Sequence, residues 1–259
     1  MAIFLSGISL WVPLLFSEPG RLDHIRQSGE VKICVWPDYY SISYRNPKTR
    51  ELIGIDVDMA HELAKDLEVK PVFVESSFAT LIEDVQNDRC DIAMFGIGIT
   101  PSRQKHLRFT EPHLKSDIYA ITTRSNRIIQ SWKDIDHPDV VVAVARGTLH
   151  EKVMQRKLSH AELIILDTPH AREQEVESGR ADVFMTDYPY SRKMLATTDW
   201  ARLVKPDSVY HITPYAYAMK QGDDPWYRAM TDFVRRVKAD GRLVKAAQRH
   251  GLEPIVITD

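Results

Sequence analysis

The sequence predicts a two-lobed α/β protein, each lobe a mostly parallel sheet flanked by helices, with a two-strand hinge between them. Three observations predict it. Short β-rich apolar runs alternate with amphipathic helical patterns from Gly20 onward, which is the pattern of βα units. The alternation occurs twice, over residues 31–95 and again over 140–187. Two further β-prone stretches, Asp117–Thr123 and Tyr215–Met219, bracket the second set, so the tail returns to the first lobe. The expected division is lobe 1 from 21–116 with 211–259, and lobe 2 from 117–210.

Each element has a local reason. Leu22 and Ile25 share one face of a helix over Arg21–Ser28, stopped by Gly29. Val31–Val35 is the first strand. Ile55, Val57, Met59, Ala60, Leu63, Ala64 and Leu67 recur at helical spacing behind Asp56, read as the N-cap. Pro71–Val74 is a strand, Phe78 to Val85 a helix, and Asp91–Phe95 the next strand. The second half repeats the scheme: strand Val140–Val144, helix Thr148–Lys157, strand Leu163–Leu166, helix His170–Ser178, strand Val183–Met185, then a helix from Asp187. Trp226 to Gly251 reads as two helices broken at Asp240-Gly241.

Composition narrows the function. The chain has 259 residues, 44% hydrophobic and 27% charged, the profile of a globular protein rather than a disordered or polytopic membrane chain. Lys plus Arg is 34 and Asp plus Glu is 36, so the basic excess of a duplex nucleic-acid binder is missing. Two cysteines, Cys34 and Cys90, are too few for a disulfide framework or a four-cysteine zinc site. Each reads by default as a buried free thiol; their pairing stays open. The ten histidines, His106 and His113 among them, lack metal-ligand grouping and read as solvated surface. No nucleophile elbow, phosphate loop or dinucleotide fingerprint occurs, and no cofactor or metal is expected. Residues 1–20 are signal-like or an anchor: Met1–Ser17 is nearly free of charge but short for a bilayer span, interrupted by Pro13, and without a basic leader or clear cleavage site.

Candidate site residues lie at strand-to-helix turns, where open α/β sheets bind ligands. In Asp91-Ile-Ala-Met-Phe-Gly-Ile-Gly-Ile-Thr-Pro-Ser-Arg103, Gly96 and Gly98 let a ligand approach the backbone, and Thr100 with Pro101 starts a helix. That puts Arg103 in the first turn, against the helix dipole, its planar fork suited to a carboxylate. Asp187, at the start of another helix, is either a plain N-cap or a carboxylate for a ligand ammonium. Gly147-Thr148-Leu149 forms a third turn whose N–H groups make an anion site. His150 and Glu151 on the following helix read as charged surface. Trp36, Tyr39, Tyr40, Phe78, Tyr188 and Tyr190 gather aromatic side chains at strand ends, predicting an apolar, aromatic or amphipathic pocket.

Taken together these segments resemble the type II periplasmic solute-binding proteins of ABC importers, in the polar amino-acid cluster. The likeness covers nearly all of 21–255 and rests on Gly54-Ile-Asp-Val-Asp58, Asp91-Ile-Ala-Met94, Ile99-Thr-Pro-Ser-Arg103 with Phe109, Gly147-Thr148, and Gly179-Arg-Ala-Asp182 leading to Asp187. The resemblance implies a periplasmic, monomeric, non-enzymatic protein that binds an amino acid or similar small carboxylate between its lobes and hands it to a membrane permease. It implies that Arg103 grips the carboxylate, Asp187 the ammonium, that Tyr39 flanks the ligand and Phe78 lines the pocket. Gly98 and Leu149 stand where many members carry hydroxyl side chains. The same resemblance extends to cyclohexadienyl dehydratases, the alternative function. That branch implies a glutamate general acid three residues past the aspartate, where this chain has Tyr190.

Overall fold

The computed structural model describes residues 20–168 and 170–259; the expected signal-like segment lies, but for Gly20, outside them. The first lobe contains α1 (Arg21–Ser28), β1 (Glu30–Val35), β2 (Asp38–Tyr39), β3 (Ser43–Arg45), β4 (Leu52–Ile53), α2 (Ile55–Asp66), β5 (Lys70–Glu75), α3 (Leu81–Gln86), β6 (Ile92–Gly98), α4 (Pro101–Gln104), β7 (Leu107–Phe109) and β8 (Leu114–Ser116). The second contains β9 (Tyr119–Thr123), β10 (Val141–Ala145), α5 (Leu149–Lys157), β11 (Glu162–Leu166), α6 (Ala171–Glu177), β12 (Val183–Thr186), α7 (Tyr188–Thr197) and β13 (Ala201–Val204). The chain then rejoins the first lobe through β14 (Thr213–Lys220), α8 (Asp224–Ala239) and α9 (Arg242–His250).

The first sheet runs β5-β1-β6-β14-β7, with β8 also on β14. Its left half is parallel, and the returning β14 is antiparallel to β6, β7 and β8. The second sheet runs β11-β10-β12-β9-β13, parallel through β12 and antiparallel beyond. The α/β architecture expected from the sequence is therefore present in both lobes. Central strands β6 and β12 are buried at every residue, which is why they read as continuous apolar runs. In α8 the buried Trp226, Met230, Phe233, Val234 and Val237 fall at helical spacing and pack into the first core. α9 follows with Leu243, Ala246 and Ala247, while Arg242 pairs with Glu62 and Asp66 of α2.

Three expectations are corrected. The stretches Asp117–Thr123 and Tyr215–Met219, read as the crossovers, lie mostly inside β9 and β14. The crossings are the Asp117–Ile118 link and the segment between β13 and β14. Buried Asp117 ties them together: its Oδ1 accepts the His211 N–H at 2.7 Å and its Oδ2 the Tyr210 N–H at 2.9 Å. Helix α3 begins at Leu81, leaving Phe78 in the preceding loop. Cys34 and Cys90 are joined in a disulfide rather than free. The two thiols meet because Cys34 is on β1 and Cys90 just before β6, its parallel neighbour.

The disulfide closes a loop with a sequence separation of 56, for which chain entropy alone gives about 4 kcal/mol and measured cases more often 2–4 kcal/mol. Cys34→Ala/Cys90→Ala is expected to lose about that much in chemical denaturation while keeping its far-UV circular dichroism. A double variant as stable as the parent would show that the bridge constrains the unfolded chain very little.

Candidate functional site

The site is built where β6, β10 and β12 end. The bend in β6 comes first. Gly96 has φ of +61°, and a Cβ there would stand 2.8 Å from the Tyr39 ring, so glycine suits both the bend and the close approach. The bend is held from behind by a polar chain: the Gly96 N–H donates to Asp56 Oδ2 at 2.7 Å, and Asp56 Oδ1 lies 3.0 Å from His113 Nε2. Asp56 is accordingly not the N-cap of α2, which is Gly54, and it is fully buried. His113 is buried too, contrary to the surface reading. A buried backbone donor needs an acceptor, and these two side chains supply and orient one.

Arg103 follows from the same turn. Thr100 Oγ1 accepts the Arg103 N–H at 3.2 Å and Pro101 opens the four-residue α4. The guanidinium folds back into the cleft, only 7% exposed. It donates to Gly98 O at 3.0 Å and, across the lobes, to Gly147 O at 3.1 Å. It lies 5.3 Å from the Phe78 ring centroid. These hydrogen-bond partners are neutral carbonyls. Burial lowers its pKa to about 10, so it remains a cation at neutral pH.

Asp187 is the N-cap of α7 and also a carboxylate that lines the cavity. Its Oδ1 caps α7 by accepting the Tyr190 N–H at 3.1 Å. Its Oδ2 faces the first lobe and accepts the hydroxyls of Tyr215, at 2.8 Å, and Tyr39. The side chain is buried, and burial raises its pKa above the usual carboxylate range against the opposing pull of those hydrogen bonds.

Gly96, Gly98, Arg103, Thr148, Leu149, Asp187, Trp36, Tyr39, Phe78 and Tyr190 line one inner cavity. Trp36, Phe78, Thr148 and Tyr190 also line an adjoining cavity of about 290 Å³. Tyr40 and Tyr188 line neither; Tyr40 packs on Tyr44, and Tyr188 lies beneath Arg192. The Gly147 turn differs from expectation. Its N–H is already taken by Glu151 Oε2 at 2.7 Å, and a Cβ at Gly147, where φ is +76°, would press on the Ala79 backbone at 2.7 Å. The turn therefore serves as a contact between the lobes.

Sequence reasoning missed four participants. Tyr215 comes from β14, opposite Gly98 in the antiparallel register, a pairing that only the fold reveals. Arg172, in the first turn of α6, is buried between Tyr190 and Phe184 at 4.3 and 5.0 Å from the ring centroids, with Nε on Glu173 Oε1 at 3.0 Å. Neither His150 nor Glu151 is on the surface; both are buried, because the first turn of α5 faces the inter-lobe cleft. Burial, then the Arg172 charge, lowers the His150 pKa to about 3. Among the described residues, no group of three or more His, Cys, Asp or Glu is placed to hold a metal ion.

A family model of bacterial extracellular solute-binding proteins, family 3, matches residues 31–253. The chain belongs to that family. Similar proteins include cyclohexadienyl dehydratase of Pseudomonas aeruginosa, 31% identical over 240 residues, with 92% of this chain and 88% of that one covered. A putative ABC transporter arginine-binding protein of Escherichia coli is 24% identical over 210 residues, covering 80% and 83%. Among solved structures, an ancestral amino acid-binding protein described as a precursor of cyclohexadienyl dehydratase is 30% identical with a TM-score of 0.81, covering 88% and 98%. A cysteine-binding protein of Campylobacter jejuni shares the fold at a TM-score of 0.82 and 20% identity, covering 92% and 99%.

The His150 shift fixes the sign of one pH effect. Its folded-state pKa is depressed, so the unfolded chain takes up a proton that the folded protein refuses. The neutral ring's contribution is present above the unfolded value of ~6.5 and is lost as pH falls toward 3, on the order of 5 kcal/mol in all. Urea unfolding of His150→Asn should therefore show a smaller stability loss between pH 7 and pH 4 than the parent. Equal losses in the two proteins would count against a buried neutral imidazole.

Proposed function

We propose that this protein is a periplasmic, monomeric binding protein that captures an amino acid or similar small carboxylate between its lobes and delivers it to an ABC permease. One observation carries the reading: a buried cationic guanidinium, Arg103, with carbonyl hydrogen-bond partners, in a cavity whose opposite wall carries Asp187. An Arg fork in a low-dielectric cleft suits a carboxylate by two parallel hydrogen bonds. The lobes, 21–116 with 211–259 and 117–210, close about the crossings tied by Asp117. Contacts from both lobes exist only when closed, so cargo shifts the population toward the closed form. Delivery to a permease is supported by the arginine-binding relative, described as part of an ABC transporter. Among the described residues no helix is long and apolar enough to cross a membrane. The disulfide suits an oxidising compartment such as the periplasm.

The match to a cyclohexadienyl dehydratase favours a second reading, a dehydratase on the same fold. The side chains in the cleft weigh against it. Tyr190 occupies the position where that branch implies a glutamate, and burial pushes its hydroxyl pKa up, making it a weak acid near neutral pH. Burial also pushes the neighbouring Glu173 upward, but the Arg172 guanidinium outweighs it and holds that carboxyl below its ordinary range. A carboxylate kept ionised is a poor proton donor.

A thermal-shift panel of amino acids and small carboxylates tests the leading reading. A cargo at 100 times its Kd should add ~2.7 kcal/mol of stability, and Arg103→Ala should abolish that gain while the unliganded protein still melts cooperatively. A gain that survives the substitution removes Arg103 from the site. Incubation with prephenate should leave it unconsumed; turnover would put the dehydratase reading first.

A further inference from the structure

We propose that the cargo held by Arg103 is a carboxylate that carries no free α-ammonium group. This rests on the carboxylate-capture reading above and narrows its substrate class. Asp187 is the only Asp or Glu among the described residues lining the inner cavity, and donors from the protein already surround it.

An ionised carboxylate offers about four lone-pair sites to donors. At Asp187 three donors are in place, all from the protein: the Tyr190 N–H on Oδ1 and the hydroxyls of Tyr39 and Tyr215 on Oδ2. The backbone donor belongs to the α7 cap and cannot leave without fraying the helix. Both tyrosine hydroxyls come from the first lobe and occupy Oδ2, leaving one acceptor site on Oδ1. A cargo ammonium brings three N–H donors and a positive charge. To reach Oδ2 it must push aside buried phenols, and their hydroxyls then lose their acceptor. A cargo without that group makes no such demand on Asp187.

The rest of the cleft agrees. Arg103 presents the positive charge that an anionic group requires, and the Gly98 carbonyl accepts one of its hydrogen bonds. The adjoining cavity of about 290 Å³, walled by Trp36, Phe78 and Tyr190 together with the charged Asp38, Arg146, Asp167 and Arg172, has room for the remainder of the molecule. A dry cavity of ~150 Å³ accommodates benzene, so a ring or a branched chain with a polar tail fits there. The expected class is a 2-oxo, 2-hydroxy or simple carboxylic acid with an apolar or aromatic body.

The test is calorimetric titration of the full chain with matched sets, each an L-amino acid, its 2-oxo acid and its deaminated acid, from alanine to phenylalanine. The expected result is that in the best-bound set a member lacking the amine binds at least tenfold more tightly than the amino acid, and that Arg103→Ala loses both. Tighter or equal binding of the amino acid, still lost in Arg103→Ala, overturns this inference alone and leaves carboxylate capture standing. Failure of every set to bind the parent overturns both. Tyr39→Phe/Tyr215→Phe supplies an independent arm. With both hydroxyls gone Asp187 is open to an ammonium, so the preference should move at least tenfold toward the amino acid, and an unchanged ratio overturns the role given to the two tyrosines.

Discussion

Burying a cation is costly, and the arrangement around Arg103 is organised by that cost. Taking a charge out of water carries a penalty of several kcal/mol even after a protein relaxes around it. Arg103 offsets part of it with the carbonyls of Gly98 and Gly147 and with the face of Phe78. Carbonyl dipoles soften the charge without cancelling it, and the remaining demand is for an anion. Because Gly147 belongs to the second lobe, the same guanidinium also helps draw the lobes together. Its aim depends on the Gly96 bend and on the buried Asp56 and His113 that hold it, so residues remote from the cleft govern the geometry inside it.

The facing pole is assembled differently. Asp187 is fixed by its own helix on one oxygen and by two tyrosines of the other lobe on the second. His170 and Asp38, 3.6 Å apart, add a further contact across the cleft. The Tyr39, Tyr215 and Asp38 contacts join the two lobes, whereas the Asp117 hydrogen bonds to Tyr210 and His211 join the two crossings themselves. On the proposed function, opening and closing would exchange one compact set of buried polar contacts for water, the circumstance in which a modest differential affinity shifts a two-state equilibrium.

The βα alternation carried much of the fold into view, because strands buried on both faces leave long apolar runs and amphipathic helices leave a regular stripe. The helix starts at Pro101 and Thr148 were legible for the same local reason, and so was the placement of Arg103 and Asp187 at turns. What sequence could not supply was register and long-range pairing. Tyr215 reaches the cleft because β14 aligns it with Gly98, and Cys34 meets Cys90 because β1 and β6 are adjacent. Neither fact has a local signal. His113, His150, Glu151 and Asp56 were misread for a related reason. A polar side chain looks solvated until the fold places a buried partner, or an opposing lobe, beside it.

A structure solved with cargo bound tests the central claim most directly. The account predicts carboxylate oxygens within hydrogen-bond distance of the Arg103 guanidinium, with the lobes closed over them. A bound molecule whose anionic group rests elsewhere, leaving that guanidinium on its two carbonyls alone, would contradict it.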